Sequence, residues 1–141
     1  MDQYLRELVW QRAAACCEYC QLPQPLTDAV HEIDHIIAEK HRGPTIPGNL
    51  ALACFHCNNH KGSNIAGIDP VSGQTTRLFH PRLDVWNEHF RWKGAILQGL
   101  TPTGRATVEV LEINLRHRVL HRQALLEEGA FPSNIQPEKT I

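Results

Sequence analysis

Two pairs of cysteines constrain the fold of this chain more than any other feature. Cys17 and Cys20 form the first pair, and Cys54 and Cys57 form the second; each pair is separated by two residues. Four thiolates in two such pairs form the closed tetrahedral site that binds structural zinc. Cys16 is an alternative ligand to Cys17, although only Cys17 has the two-residue spacing from Cys20. The sequence therefore predicts a zinc ion that joins two distant segments.

Two other interpretations of these cysteines stay open: ordinary buried thiols, or a thioredoxin-like redox pair. The redox interpretation lacks a βαβ pattern and leaves one pair unexplained. The gap between Cys20 and Cys54 is longer than in a simple zinc ribbon, and it is long enough to insert a strand and a loop that carry Asp34 and His35. We therefore prefer zinc.

Length and charge narrow the class of protein. The 141 residues fit one domain, or one small domain with a long elaboration, and no apolar run approaches the roughly 20 residues of a membrane span. The N-terminal MDQYLRELVW lacks the features of a signal peptide, so we expect a cytoplasmic protein without a membrane partner. The net charge is -1, but basic residues outnumber acidic ones eight to four between Arg77 and Arg122, which is compatible with a polyanionic partner.

The first half of the chain predicts a compact ββα unit, and thus an α+β fold. Apolar spacing over residues 3–15 predicts an amphipathic helix that delivers the first cysteines to the core. The β-branched run at 29–37 predicts a strand. The stretch NLALAC at 49–54 indicates a second strand or a short helical turn, and Asn58 is well placed to cap a helix that runs through Lys61.

The second half predicts a mixed extension that ends in helices. An extended run is predicted at 75–79 and a strand at 95–100. Thr101 resembles a helix N-cap with proline at the first helical position. Helical spacing then continues from Ala106 to Gly129, with a break near 113–114.

The dipeptide Asp34-His35 carries the predicted chemistry. Asp34 offers a hard oxygen ligand suited to Mg²⁺, and His35 offers a base whose ordinary pKa is about 6.5. Because consecutive residues of an ideal strand point to opposite faces, the strand must end or bulge at this pair, and the next helix must bring Asn58 across to the metal. The predicted reaction is phosphodiester hydrolysis, in which His35 deprotonates a water and the cation offsets charge on the phosphate.

The chain resembles the four-cysteine branch of the HNH endonuclease family over about a third of its length. The resemblance implies a treble-clef-like ββα-metal fold and cleavage of nucleic acid, usually double-stranded DNA, that depends on a divalent cation such as Mg²⁺ or Mn²⁺. Three motifs in order carry it: Glu32-x-Asp34-His35-Ile36, Gly48-Asn49-Leu50, and Cys54-x-x-Cys57-Asn58-x-x-Lys61-Gly62.

The resemblance also implies a role for each matching residue. His35 corresponds to the general base, and Asp34 and Asn58 correspond to the ligands of the catalytic cation. Asn49 resembles the middle letter of the family name, a residue that braces the loop and orients the base. Lys61 is similar to the closing basic residue of the family, which implies a phosphate contact.

Four nearby residues keep alternative interpretations. His60 competes with Asn58 as a metal ligand. His41 either contacts a phosphate or faces solvent. Glu32 either accepts a hydrogen bond from a metal ligand or is an exposed strand carboxylate, and His56 is predicted to be exposed.

The C-terminal half resembles an extension found after this core in some bacterial members, through LFHPRLDVWNEHF and GLTPTGRATV. Its aromatic residues either stack on bases or form a small second core, and we prefer the core. We predict three parts: a nuclease core at 1–66, an extension packed on it at 67–130, and a loose tail at 131–141. Four arginines are predicted on helical surfaces as contacts to the DNA backbone: Arg105, Arg116, Arg118 and Arg122.

Two hypotheses from other classes compete with a metal-dependent HNH endonuclease. One is a non-catalytic zinc-binding module for DNA or protein, in which Asp34 and His35 are idle. The other is a redox dithiol protein, which would show a titratable disulfide and little zinc. The joint presence of a base, two metal ligands and a bracing asparagine favours the nuclease.

Overall fold

The computed structural model describes residues 1–132 and confirms the α+β class. The predicted tail lies almost entirely outside these residues. No helix within 1–132 is both long enough and apolar enough to cross a lipid bilayer. The helices are α1 (Gln3–Arg12), α2 (Phe55–Lys61), α3 (Trp86–His89), α4 (Pro102–Val110) and α5 (Arg116–Glu127). The strands are β1 (Glu32–His35), β2 (Leu50–Ala53), β3 (Ala66–Ile68), β4 (Thr75–Arg77), β5 (Phe90–Lys93) and β6 (Ile96–Gly99).

Strands β1 and β2 form an antiparallel hairpin, so NLALAC contains a strand and not a helical turn. Asp34 lies opposite Ala51, and His35 lies opposite Leu50. Strand β1 is shorter than predicted, because the two backbone amides after His35 donate to Asn49. The Asn49 carbonyl accepts from the Ile36 N–H, and the Asn49 side chain accepts from the Ile37 N–H. The strand therefore ends at His35.

Both helices around the cysteine pairs differ from their predicted bounds. Helix α1 ends at Arg12 and not at residue 15, because Ala14 and Ala15 have positive φ angles of 52° and 58° that turn the chain toward the first cysteine pair. Helix α2 begins at Phe55, so Asn58 is not its cap. The cap is Cys54, whose Sγ accepts a hydrogen bond from the Cys57 N–H at 3.4 Å. Cys54, and not Asn58, therefore caps α2.

The extension consists of two more hairpins, β3–β4 and β5–β6, and two helices. Thr101 caps α4 as predicted, since its Oγ1 accepts from the Gly104 N–H at 3.0 Å. Gly104 allows a close packing, because an added Cβ would lie 2.1 Å from the His89 carbonyl oxygen. The predicted break between the last helices is confirmed. The side chain of Asn114 holds this break against β6 through two hydrogen bonds to the Leu97 backbone, at 3.0 and 2.9 Å.

One main hydrophobic cluster includes side chains from both halves of the chain. Tyr19 and the cysteines of the first half pack together with Leu78, Phe90 and Leu111 of the second. Trp86 and Trp92 pack against the same cluster. The aromatic residues are therefore core, as preferred, but they belong to the main core and do not form a separate one. A smaller cluster joins α1 to β2 through Val9, Ala13, Leu50 and Leu52.

Candidate active site and metal centre

The four cysteines converge on one buried point. The sulfur atoms of Cys17, Cys20, Cys54 and Cys57 all lie within 4.8 Å of one another. The Sγ atoms of Cys20 and Cys54 are 3.7 Å apart, close to the separation of about 3.8 Å that tetrahedral geometry with a Zn–S bond of about 2.3 Å requires. Cys16 instead donates its thiol hydrogen bond to the Ala14 carbonyl at 3.4 Å. The donor set fits a structural zinc ion, with Cys17 and not Cys16 as ligand.

Local backbone structure explains why the two pairs meet. The first pair sits in a turn that the Gln21 N–H closes on the Cys17 carbonyl at 2.8 Å, and Gln21 has a positive φ of 68°. Glu18, between the first pair, exchanges two hydrogen bonds with the Leu52 backbone, each of 2.8 Å. Because β2 leads directly to Cys54, this exchange aligns the first turn with the start of α2.

Arg118 reaches the cysteine cluster from α5, a contact that no sequence pattern indicated. Its Nη2 donates to the Cys57 Sγ at 3.1 Å and approaches the Cys54 Sγ at 3.8 Å. Burial lowers the pKa of this guanidinium, but the thiolates more than offset burial and raise the pKa above its ordinary value. Arg118 and Arg122 are only 5% and 3% exposed, so the prediction that they contact DNA from a helical surface is wrong.

Of the two remaining predicted arginines, Arg105 forms an ion pair. The Arg105 guanidinium donates to both carboxylate oxygens of buried Asp69, at 2.8 and 3.0 Å. This pair holds the pKa of Asp69 well below its usual range, with help from the Ser72 hydroxyl. A contact between Arg105 and nucleic acid stays a prediction, as does that of exposed Arg116.

Asp34 is buried, and each of its carboxylate oxygens accepts a hydrogen bond. The Tyr19 hydroxyl donates to its Oδ2 at 2.7 Å, and the Lys61 ammonium lies 3.2 Å from Oδ1 and 3.1 Å from Oδ2. Burial raises the pKa of the Asp34 carboxyl, while Lys61 and Tyr19 counter part of that rise. Lys61 is itself 1% exposed, so its ammonium faces the protein interior; a phosphate contact for it stays a prediction.

His35 is the last residue of strand β1, and it pairs with Leu50 in regular register. Its Nε2 lies 2.9 Å from the Thr45 Oγ1, and its side chain is half-buried. The loop that follows is held by Asn49, whose Nδ2 donates to the carbonyls of Ile37 and Pro44, both at 2.9 Å. The Asn49 Oδ1 accepts from the Ile37 N–H at 2.8 Å. One amide thus braces the loop that contains Thr45.

Helix α2 lies across β1 and brings its polar residues to the strand. The Asn58 Nδ2 donates to the Glu32 Oε2 at 2.5 Å, and the Lys61 ammonium also donates to the His35 carbonyl at 3.2 Å. Glu32 and Asp34 share one face of the strand. Within residues 1–132, only the four cysteines form a convergent group of three or more His, Cys, Asp or Glu ligands.

Three other histidines of this region contact groups other than Asp34. His60 pairs with Glu112 through Nδ1 at 2.8 Å, and His41 places its Nε2 3.0 Å from the Ser63 carbonyl. His56 was predicted to be exposed but is half-buried, with its ring edge-on to His117 at 5.1 Å between centroids.

Comparison with known proteins defines the class of this domain. Residues 17–64 match the family model described as HNH endonuclease, so this segment is an HNH-family domain, as the three motifs predicted. That range contains the four cysteines, Asp34, His35, Asn49 and Asn58.

One relative is the Septu protein PtuB of Bacillus thuringiensis. The two chains are 22% identical over 129 residues, which covers 87% of this chain and 46% of PtuB. This chain therefore spans about half the length of that relative. No solved structure matches.

Proposed function

We propose that this protein is a metal-dependent HNH endonuclease that hydrolyses phosphodiester bonds of double-stranded DNA. The β1–β2 hairpin followed by α2 would be its treble-clef-like ββα-metal core. The observation that carries the proposal is the position of α2 on β1, which sets Asn58 and Lys61 on the strand face of Glu32 and Asp34, beside His35. These contacts lie inside the segment that matches the HNH family.

Each site residue has its own role in the proposed reaction. His35 accepts a proton from the attacking water, and its half-buried ring with Thr45 as a fixed neighbour suits that role. Asp34 and Asn58 would hold a divalent cation, Mg²⁺ or Mn²⁺, which when bound offsets charge on the scissile phosphate and the leaving oxygen. Asn49 keeps the loop after His35 in one conformation. Lys61 balances the Asp34 charge inside the protein.

A cavity that Lys61 helps to line gives room for substrate. It has a volume of about 200 Å³ and is formed jointly by the nuclease segment and the extension. Lys61 and the residues after His35 form one side, and Arg77 and His80 form part of the other. A mixed apolar and cationic lining suits a nucleotide next to the cleaved bond.

The four cysteines would hold a structural zinc ion, as their geometry and burial support. Thiolate ligands stay available in a reducing compartment, so we place the protein in the cytoplasm. Zinc in this position connects the first turn to α2, and α2 carries Asn58 and Lys61.

Plasmid cleavage tests the proposal. Purified protein with Mg²⁺ or Mn²⁺ should convert supercoiled plasmid to nicked or linear product, and His35→Ala should abolish the conversion without changing zinc content or the unfolding midpoint. His121→Ala is the matched control, because His121 is an exposed histidine on α5 outside the proposed site. Full activity of His35→Ala would refute the mechanism.

A second function is a non-catalytic zinc module that binds DNA or protein. The observation that favours it is the Asp34 carboxylate, whose two oxygens already accept from Tyr19 and Lys61. In that case the wild-type protein would retard DNA in a gel without cleaving it in any divalent ion, and His35→Ala would bind DNA equally well.

A further inference from the structure

Two buried arginines lie one turn apart on α5, and they differ in what they contact. The Arg118 guanidinium donates to the Leu111 carbonyl at 2.8 Å with Nη1 and to the Cys57 Sγ at 3.1 Å with Nη2. Arg122 donates to the carbonyls of Ala95 and Ile113, at 2.9 and 3.0 Å, and its guanidinium lies over the Trp92 ring. Of these two arginines, only Arg118 donates a hydrogen bond to sulfur.

The contact between Arg118 and Cys57 matters because of the negative charge on the proposed zinc centre. Four thiolates around one dication carry a net charge of about -2, and all four cysteines are buried. A buried charge is costly unless it is paired and hydrogen-bonded. Arg118 supplies a positive charge that cannot be lost by deprotonation, and it donates directly to the sulfur. Conversely, the thiolates supply the negative partner that buried Arg118 needs.

We propose that Arg118 is a fifth component of the metal centre, a positioning residue that stabilises the thiolates of Cys54 and Cys57 and couples metal retention to the docking of α5. The inference rests on the zinc ion proposed above for the four cysteines. Groups that hydrogen-bond metal ligands orient those ligands and commonly change metal affinity by about 10- to 100-fold. Here that group comes from a helix that begins more than fifty residues after the last ligand.

The space around the cluster supports this coupling. The cavity beside Cys20 measures only about 40 Å³ and is lined on one side by α2 and on the other by α5, with Arg118 among the lining residues. Such a volume accepts a water molecule or an ion but not an organic chelator. A chelator can therefore reach the sulfur atoms through this cavity only after its lining moves, and α5 supplies four of the lining residues.

Metal affinity of the full chain tests the proposal. Arg118→Gln should lower the affinity for Zn²⁺ and Co²⁺ about 10- to 100-fold in chelator competition, and it should shift the thiolate-to-Co²⁺ charge-transfer band. Arg122→Gln is the matched control, because it removes an equally buried guanidinium that hydrogen-bonds no sulfur. An unchanged affinity in Arg118→Gln, or an equal loss in Arg122→Gln, would overturn the inference.

Two further results keep the inference testable if Arg118→Gln does not fold. Zinc removal from the wild-type chain should lower the hydrogen-exchange protection of α5 amides more than that of α1 amides, because Leu125 of α5 packs in the main cluster with the cysteines and Val9 of α1 packs in the smaller cluster. Equal changes in both helices would contradict the coupling. A wild-type chain that binds no zinc would overturn the cysteine site and the inference together, and none of these readouts depends on DNA cleavage.

Discussion

Replacement of Lys61 by methionine tests the electrostatics of the proposed active site. The Lys61 and Asp34 side chains are 2% and 6% exposed, so Lys61→Met leaves a buried carboxylate without its cation. Removal of one partner of a buried ion pair costs about 3–5 kcal/mol. The Tyr19 hydroxyl still donates to Asp34 at 2.7 Å, so we expect the lower end, about 3 kcal/mol, or a fall in Tm of roughly 10 °C.

The pH dependence of the stability lost in Lys61→Met is a more specific test of the role of Asp34. Burial already raises the pKa of Asp34 in the wild-type protein, and the loss of Lys61 raises this pKa further. A carboxyl whose folded-state pKa lies above its unfolded value of about 3.9 penalises folding at higher pH, because the buried charge must be maintained. The penalty shrinks as pH falls through the folded-state pKa. Lys61→Met should therefore differ most from wild type near neutral pH and least in acid.

Urea denaturation of zinc-loaded protein measures this difference, with wild type and variant compared at each pH so that zinc linkage cancels. Asp34→Asn combined with Lys61→Met should recover part of the lost stability, since no buried charge remains. A loss in Lys61→Met that stays the same from neutral to acidic pH would refute the assignment of Asp34 as the uncompensated group.

Three more substitutions test contacts outside the cation site. Arg82→Met removes the partner of Glu18 in an ion pair buried between the first cysteine turn and the extension, and it should cost about 3–5 kcal/mol in urea denaturation. Arg77→Met breaks the ion pair with Asp84, in which the arginine is 56% exposed, and should cost under about 1 kcal/mol of stability. Equal losses of stability in Arg82→Met and Arg77→Met would contradict the distinction between the buried and the exposed ion pair. Asn49→Ala removes three hydrogen bonds in the loop after the proposed base and should lower plasmid cleavage while zinc content stays at the wild-type level. A cleavage rate equal to wild type would show that the loop does not need this brace.

The part of the fold that is predictable from sequence is the part encoded by local pattern. The cysteine spacing predicts the four-cysteine cluster, a β-branched run predicts β1, and the Thr101 cap with its following proline predicts the start of α4. Strand β5 was missed because its aromatic residues are compatible with several structures, and only the pairing with β6 decides among them. The cap of α2 was missed because a cysteine at the first position of a metal knuckle also caps the helix that follows.

The buried arginines show why the rest was not predictable. Arg118, Arg122 and Leu125 are the buried residues of α5, and their spacing of four and then three residues is that of a core-facing helix stripe. Charge led to the opposite prediction, since arginine is seldom buried without a partner. The partners here are a thiolate and backbone carbonyls at the break between α4 and α5, which no local pattern in the helix reveals.

Contacts between the extension and the two cysteine pairs give the extension a role that the family motifs do not assign. Arg82 pairs with Glu18, the Trp86 indole donates to the Tyr19 carbonyl at 2.8 Å, and Arg118 donates to Cys57. Each contact supplies a buried polar partner to the cysteine site or to a residue beside a ligand. If the extension were removed, Glu18 would stay buried without its cation or would have to leave the interior. The cysteine site therefore takes hydrogen-bond partners from residues far outside the 17–64 segment, and Arg118 of this extension contacts Cys54, which caps the helix that carries Asn58 toward β1.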